Sequence, residues 1–144
     1  MSELLSAFRE LYTEGSRAWN EGDMETAYGV LPDDVDFRLV SIWPSARPLH
    51  GRDEVIGFFT DLRETFSDLR TDPIEFIEVS KSKLVAGSRV TGSGASSKAD
   101  TTMEIWQVWD LGEGLVPLRI TEFLDRSAAL EAARGDEVAV ERAR

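Results

Sequence analysis

Cysteine is absent from the 144-residue chain. Disulfides, thiolate metal sites and cysteine nucleophiles are therefore excluded. Histidine occurs once, at His50, so neither a multi-histidine metal centre nor a histidine relay can be assembled. Positive charge is scarce. Sixteen Lys and Arg stand against 27 Asp and Glu, a formal net charge of −11. Such a surface repels nucleic-acid backbones and anionic membranes, and neither is expected as a partner. No apolar run is long enough to span a bilayer. The start, "MSELLSAFRE", lacks the basic beginning and apolar core of a signal peptide, so a cytoplasmic location is expected.

What is present reads as one folded domain. A chain of this length buries roughly two-thirds of the surface it exposes when unfolded, enough for a core and a modest cavity. Leu4, Leu5, Phe8, Leu11, Tyr12 and Trp19 recur at helical spacing behind the capping residue Ser2. Gly22 breaks that helix. Asp23 caps a second, short one that ends at Pro32. "VDFRLVSIW" alternates and predicts the first strand, with "PSARPLHG" as a loop. A third helix starts near Gly51 and buries Val55, Phe58, Phe59, Leu62 and Phe66. Four strands follow, "IEFIEV", "KLVAGSRVTGS", "TTMEIWQVWDL" and "LVPLRITEFL", with "SKS" and "GEG" suited to antiparallel hairpins. "GSGASSKAD" lacks phosphate-loop spacing and predicts a hairpin loop. Asp125 caps a final helix, "RSAALEAA". The order implies an α+β fold: a cone-shaped roll, a curved antiparallel sheet wrapped around three N-terminal helices with a central pocket. Phe8, Leu11, Phe58, Phe59 and Leu62 are expected in its core.

Read with period two, the last strand places Leu118, Ile120, Glu122 and Leu124 on one face. One carboxylate in an apolar row is the main handle on function. Inside a pocket, burial would penalise its charge and raise its pKa toward neutrality, which suits proton transfer. The alternative is a structural glutamate paired with Arg89 or Arg119. The preceding strand offers the row Met103, Ile105, Gln107, Trp109 as the more apolar and so the inward one, with Gln107 a second polar group in the cavity. Trp106 then faces outward.

The element order, with "WNEGDMETAYGVLPDDVDF", "LHGRDEVIGFF", "GSGASSKADTTMEIWQVWDL" and "LRITEFLDRSAALEAA", resembles the nuclear transport factor 2-like superfamily and within it the SnoaL-like group. The likeness implies a SnoaL-like domain over residues 1–134 and a flexible tail over 135–144. Ketosteroid isomerases carry a base aspartate early in the first strand, where this chain has Leu39. Asp36 lies on the other face. Scytalone-type dehydratases need a histidine pair that is missing. The likeness to limonene epoxide hydrolase matches Glu122 before Phe123 and Asp125, but Arg89-x-Thr91 lacks its second carboxylate. Polyketide cyclases of the SnoaL type fit better, and that resemblance implies Glu122 as a single acid/base. A small apolar carbonyl or hydroxyl compound is the expected ligand, handled with no metal or organic cofactor. Gln107, Arg89 and His50 are candidate orienting groups. Trp43, Trp19 and Ile120 are candidate wall residues. The rival readings are a ligand-binding domain without chemistry and a dimeric interaction module. Phe123 and an outward tryptophan suggest a homodimer on the outer sheet face.

Overall fold

The computed structural model describes residues 2–93 and 100–142. Helix α1 spans Glu3–Asn20, and the Ser2 hydroxyl accepts the Leu5 backbone N–H as its cap. Asp23 caps α2 (Met24–Tyr28) in the same way through Thr26 N. Strand β1 is Asp36–Arg38, β2 is Leu49–His50, and α3 is Arg52–Thr65. The long strands β3 (Arg70–Ser80), β4 (Lys83–Ser93), β5 (Asp100–Leu111) and β6 (Pro117–Phe123) follow, and α4 is Arg126–Arg142. The Asp125 carboxylate caps α4 at Ala128 N. Residues 94–99, where the glycine- and serine-rich loop was expected, lie outside the described residues.

The six strands form one curved sheet in the order β2-β1-β6-β5-β4-β3. The sheet is mixed, where a wholly antiparallel one was expected. Strand β1 runs parallel to β6, with Phe37 opposite Ile120, because the chain crosses from one end of the sheet to the other through α3, β3, β4 and β5. The expected first strand over "VDFRLVSIW" is also shortened to three residues. Beyond Arg38 the chain leaves the sheet, and Trp43 turns in as a buried loop residue. Two residues of "PSARPLHG", Leu49 and His50, pair with β1.

Strand β3 forms one edge of the sheet, where Pro73 can lack an N–H without breaking an inner ladder. The β3–β4 register slips between Pro73 and Glu75, a bulge at Ile74 that bends the strand. Asn20, at the end of α1, fastens this edge. Its amide donates to Thr71 O at 2.9 Å and accepts from Thr71 N at 2.8 Å. Arg63 clamps the same corner from α3, donating to Asn20 O and Leu69 O, each at 2.9 Å, and lying over the Trp19 ring.

The main core lies between the three helices and the inner sheet face. Val55, Phe58, Phe59 and Leu62 of α3 are buried there with Phe8, Phe37 and Trp109, while Phe66 is half-buried. Burying each such side chain contributes about 1.5–3 kcal/mol. Leu11 departs from the expected core and is substantially exposed, because it lines the cavity and does not pack into the core. A second, smaller core forms on the outer face. There α4 lays Ala129, Leu130 and Ala133 over Val85, Trp106 and Val108, with Phe123 beside them. Trp106 is only 2% exposed. The apolar outer face on which the homodimer rested is thus covered by the chain's own last helix.

Candidate functional site

The inner face of the sheet is set by parity. On β5, Ile105, Gln107 and Trp109 face the helices, as their period-two row predicts. On β4 the inward row is Leu84, Ala86, Ser88 and Val90. On β6 it is Ile120 and Glu122. These rows, with α1, α2 and α3, enclose a cavity walled by Trp19, Tyr28, Phe37, Phe59, Trp43 and Trp109. Leu11, Gly15 and Val30 also line it, and the exposure of Leu11 and Val30 places them toward its open side. About 90 Å³ of this space is open to the centres of water-sized spheres. One water needs roughly 10–15 Å³ by that measure, so the cavity has room for several waters or one small molecule.

Glu122 lies inside it, 7% exposed. Its Oε1 accepts the Trp43 indole N–H at 2.9 Å and, at a long 3.4 Å, the Val40 backbone N–H. Its Oε2 accepts the Gln107 amide N–H at 2.9 Å. Gln107 is held in that orientation because its own oxygen accepts the Trp109 indole N–H at 3.0 Å. Trp109, Gln107 and Glu122 thus form a one-way chain of donors ending on the carboxylate. None of the donors is charged. Arg119 instead pairs with Asp110 at 3.2 Å, and Arg89 is exposed on the outer face, so the structural ion pair weighed from sequence does not form. Burial pushes the Glu122 carboxyl above its ordinary range, against the opposing pull of Gln107, Trp43 and Val40.

Tyr12 and Tyr28 carry two phenols into the same cavity. The Tyr12 hydroxyl lies 2.7 Å from the Ser88 hydroxyl. Burial pushes the Tyr12 phenol up to about 12; its bond to Ser88 opposes this and the nearby Glu122 adds to it. Tyr28 stacks on Phe59 with ring centroids 5.1 Å apart. Burial, then the charges of Glu122 and Tyr12, hold its phenol well above its ordinary value.

Several sequence expectations need correction. His50 is exposed on β2 and does not line the cavity; its backbone N–H donates to Glu54. Arg89 points away because β4 presents Ser88 and Val90 inward, and alternation puts their neighbour outside. Ile120 is fully buried, but as core beneath the cavity and not in its wall. Leu118 and Leu124 are 54% and 50% exposed, so only the middle of the β6 row is enclosed. Asp36 pairs with Arg38 outside the cavity. Gln107, Trp43 and Trp19 do line it. Tyr12 and Ser88 were missed as a polar pair. Tyr12 had counted only as one of the apolar positions of α1, and no local pattern links it to a serine 76 residues away. Among the described residues, no group of three or more His, Asp or Glu side chains could hold a metal ion.

A family model for the SnoaL-like domain matches residues 8–123. The chain belongs to the SnoaL-like domain family. Among solved structures, this SnoaL-like domain is similar to an NTF2-like protein of unknown function from Burkholderia pseudomallei, at 21% identity and a TM-score of 0.69, covering 92% of this chain and 98% of that one. It is similar to a Mycobacterium tuberculosis protein in complex with estradiol-17β-hemisuccinate, at 11% identity and a TM-score of 0.64, covering 88% and 97%. It is also similar to SalBIII, an epoxide hydrolase/cyclase-like enzyme of pyran ring formation in polyether salinomycin, at 11% identity and a TM-score of 0.64, covering 85% and 93%. At these identities the SnoaL-like domain shares a fold with them. No match was found among curated proteins. Among the described residues of the SnoaL-like domain, no helix is long and apolar enough to cross a membrane.

Proposed function

We propose that this protein is a small-molecule pocket protein and a cofactor-independent acid/base enzyme of the isomerase, cyclase or hydrolase type. Its substrate is a small apolar compound bearing a carbonyl or hydroxyl group, and Glu122 moves the proton. One observation carries the reading: a buried carboxyl faces the cavity with only neutral donors around it. An ion-paired glutamate would have its pKa depressed and its proton affinity spent. Here burial keeps the affinity high, while Trp43 and Gln107 fix both oxygens in place. The ionised form can accept a proton from carbon beside a carbonyl, the C–H electron pair passing to the carbonyl oxygen as an enolate. The protonated form then returns that proton. Membership of a family that resembles polyketide cyclases, and fold neighbours solved with a steroid ester or named for cyclisation, support a ligand of this kind.

A binding domain without chemistry is the second reading. It is favoured by Glu122 being the single carboxylate among the cavity-lining residues, since water-assisted epoxide opening calls for more than one acid/base group. Deuterium exchange separates the two. Wild type and Glu122→Gln are incubated in D₂O with enolisable cyclic ketones, and loss of the signals from the protons beside the carbonyl is followed by NMR. Wild type should exchange faster than buffer, and the variant should fall to background. Equal rates in both proteins would leave only the binding reading.

A further inference from the structure

We propose that Tyr12 and Ser88 form a second ligand-anchoring station, so that the pocket selects a single-ring ligand carrying oxygen functions at opposite ends. One oxygen is read by Glu122 and Gln107, the other by the Tyr12–Ser88 pair. The inference rests on the pocket reading above and adds the ligand's shape to it.

Two hydroxyls carry two protons, and their mutual bond at 2.7 Å uses one. Among the described residues neither side-chain oxygen has another hydrogen-bond partner. Ser88 is 3% exposed, and the phenol end of Tyr12 is enclosed although the residue as a whole is half-buried. A donor left over in such a place is costly and is normally satisfied. Both residues line the cavity, so the spare proton has the cavity contents as its acceptor. Either oxygen can be the donor within the pair. The station therefore donates to a carbonyl or accepts from a hydroxyl with no change beyond a turn of two O–H bonds. The phenol, its pKa pushed up to about 12, stays protonated at neutral pH and keeps this capacity.

Sheet register sets the distance between stations. Glu122 pairs with Gln107, and Gln107 with Ala86, in one line across β6, β5 and β4. Ser88 lies two residues along β4 from that line, opposite Ile105. Two strand spacings of about 4.8 Å and two residues of about 3.3 Å separate the backbones by about 12 Å along the sheet. The side chains reach inward from both positions and shorten this span. With about 90 Å³ open to water-sized centres, the remaining gap suits one ring. The faces of that ring meet the aromatic walls Trp19, Tyr28 and Trp109.

Hydroquinone and phenol test this, titrated calorimetrically into wild type, Tyr12→Phe, Ser88→Ala and the double variant at neutral pH. Both substitutions keep the size of the native side chain closely. In wild type, hydroquinone should bind about fivefold more tightly than phenol, the value of one neutral hydrogen bond. Each single variant keeps one hydroxyl with a free proton and should keep the preference, whereas in the double variant, Tyr12→Phe with Ser88→Ala, it should collapse while phenol binding persists. A wild-type preference that survives in the double variant, or its absence from wild type, overturns the second station and leaves the pocket reading intact. Failure of both compounds to bind wild type overturns the station and the pocket reading together.

Discussion

Replacing Trp43 by Phe removes one N–H from the Glu122 carboxylate and leaves an aromatic ring in the pocket wall. The lost bond is 2.9 Å long, buried, and made to an acceptor whose charge is disfavoured by its surroundings. A hydrogen bond to a charged group contributes about 1.5–3 kcal/mol, and one to a neutral group about 0.5–1.5 kcal/mol. The smaller ring also sacrifices apolar burial, by about 1 kcal/mol at every pH. The sign of the pH dependence follows from linkage. Glu122 has a raised folded pKa, so its contribution to stability is fully present below the unfolded value of about 4.3 and is lost as pH rises through the folded one. Without the Trp43 donor the carboxylate is less favoured still, and the variant loses more over the same rise. The gap between the two proteins should therefore widen by about 1–2 kcal/mol from pH 4 to pH 7.5. For a domain near this size each kcal/mol corresponds to roughly 2–4 °C in Tm. Parallel thermal melts across that range measure it, and the exposed carboxylates common to both proteins cancel. A gap that stays constant with pH would refute the view that Trp43 holds a titrating carboxylate.

Glu122→Gln should become progressively more stable relative to wild type as pH rises from 4 to 7.5, since the variant no longer suffers the buried charge; melts that keep a fixed difference would contradict this. Gly87→Ala would drive a Cβ to 2.5 Å from the Trp106 ring, which α4 holds from its far side. A loss of about 1–3 kcal/mol is expected in urea unfolding, with hydroquinone affinity unchanged because this face is opposite the cavity. Asn20→Ala breaks both bonds to the Thr71 backbone and should cost about 2 kcal/mol, with faster hydrogen exchange at the N-terminal end of β3.

Local pattern in the sequence determined a good part of this protein. The caps Ser2, Asp23 and Asp125 act where their residue types and spacing place them, because an N-cap needs only its own side chain and the next turn. The α3 stripe is buried through its helical repeat, and the inward row Ile105, Gln107, Trp109 through its period of two. Glu122 stood out for the same reason, as a charge in an apolar row. Tertiary structure decided the rest. Period two sorts a strand into two rows, and which row is inner shows only when one face is wet. On β4 the stretch from Leu84 to Ser88 is buried on both faces, under the helical layer and under α4, so it carries no such contrast and the side taken by Arg89, itself exposed, was not legible. The enclosed length of β6 depends on where neighbouring elements end, which is why Leu118 and Leu124 lie in solvent while Ile120 and Glu122 do not. The partners of the site come from far along the chain. Trp43 reaches Glu122 across 79 residues and Tyr12 reaches Ser88 across 76. A local pattern fixes which way a side chain points from its own element, and only the packing of whole elements against one another fixes what it meets there.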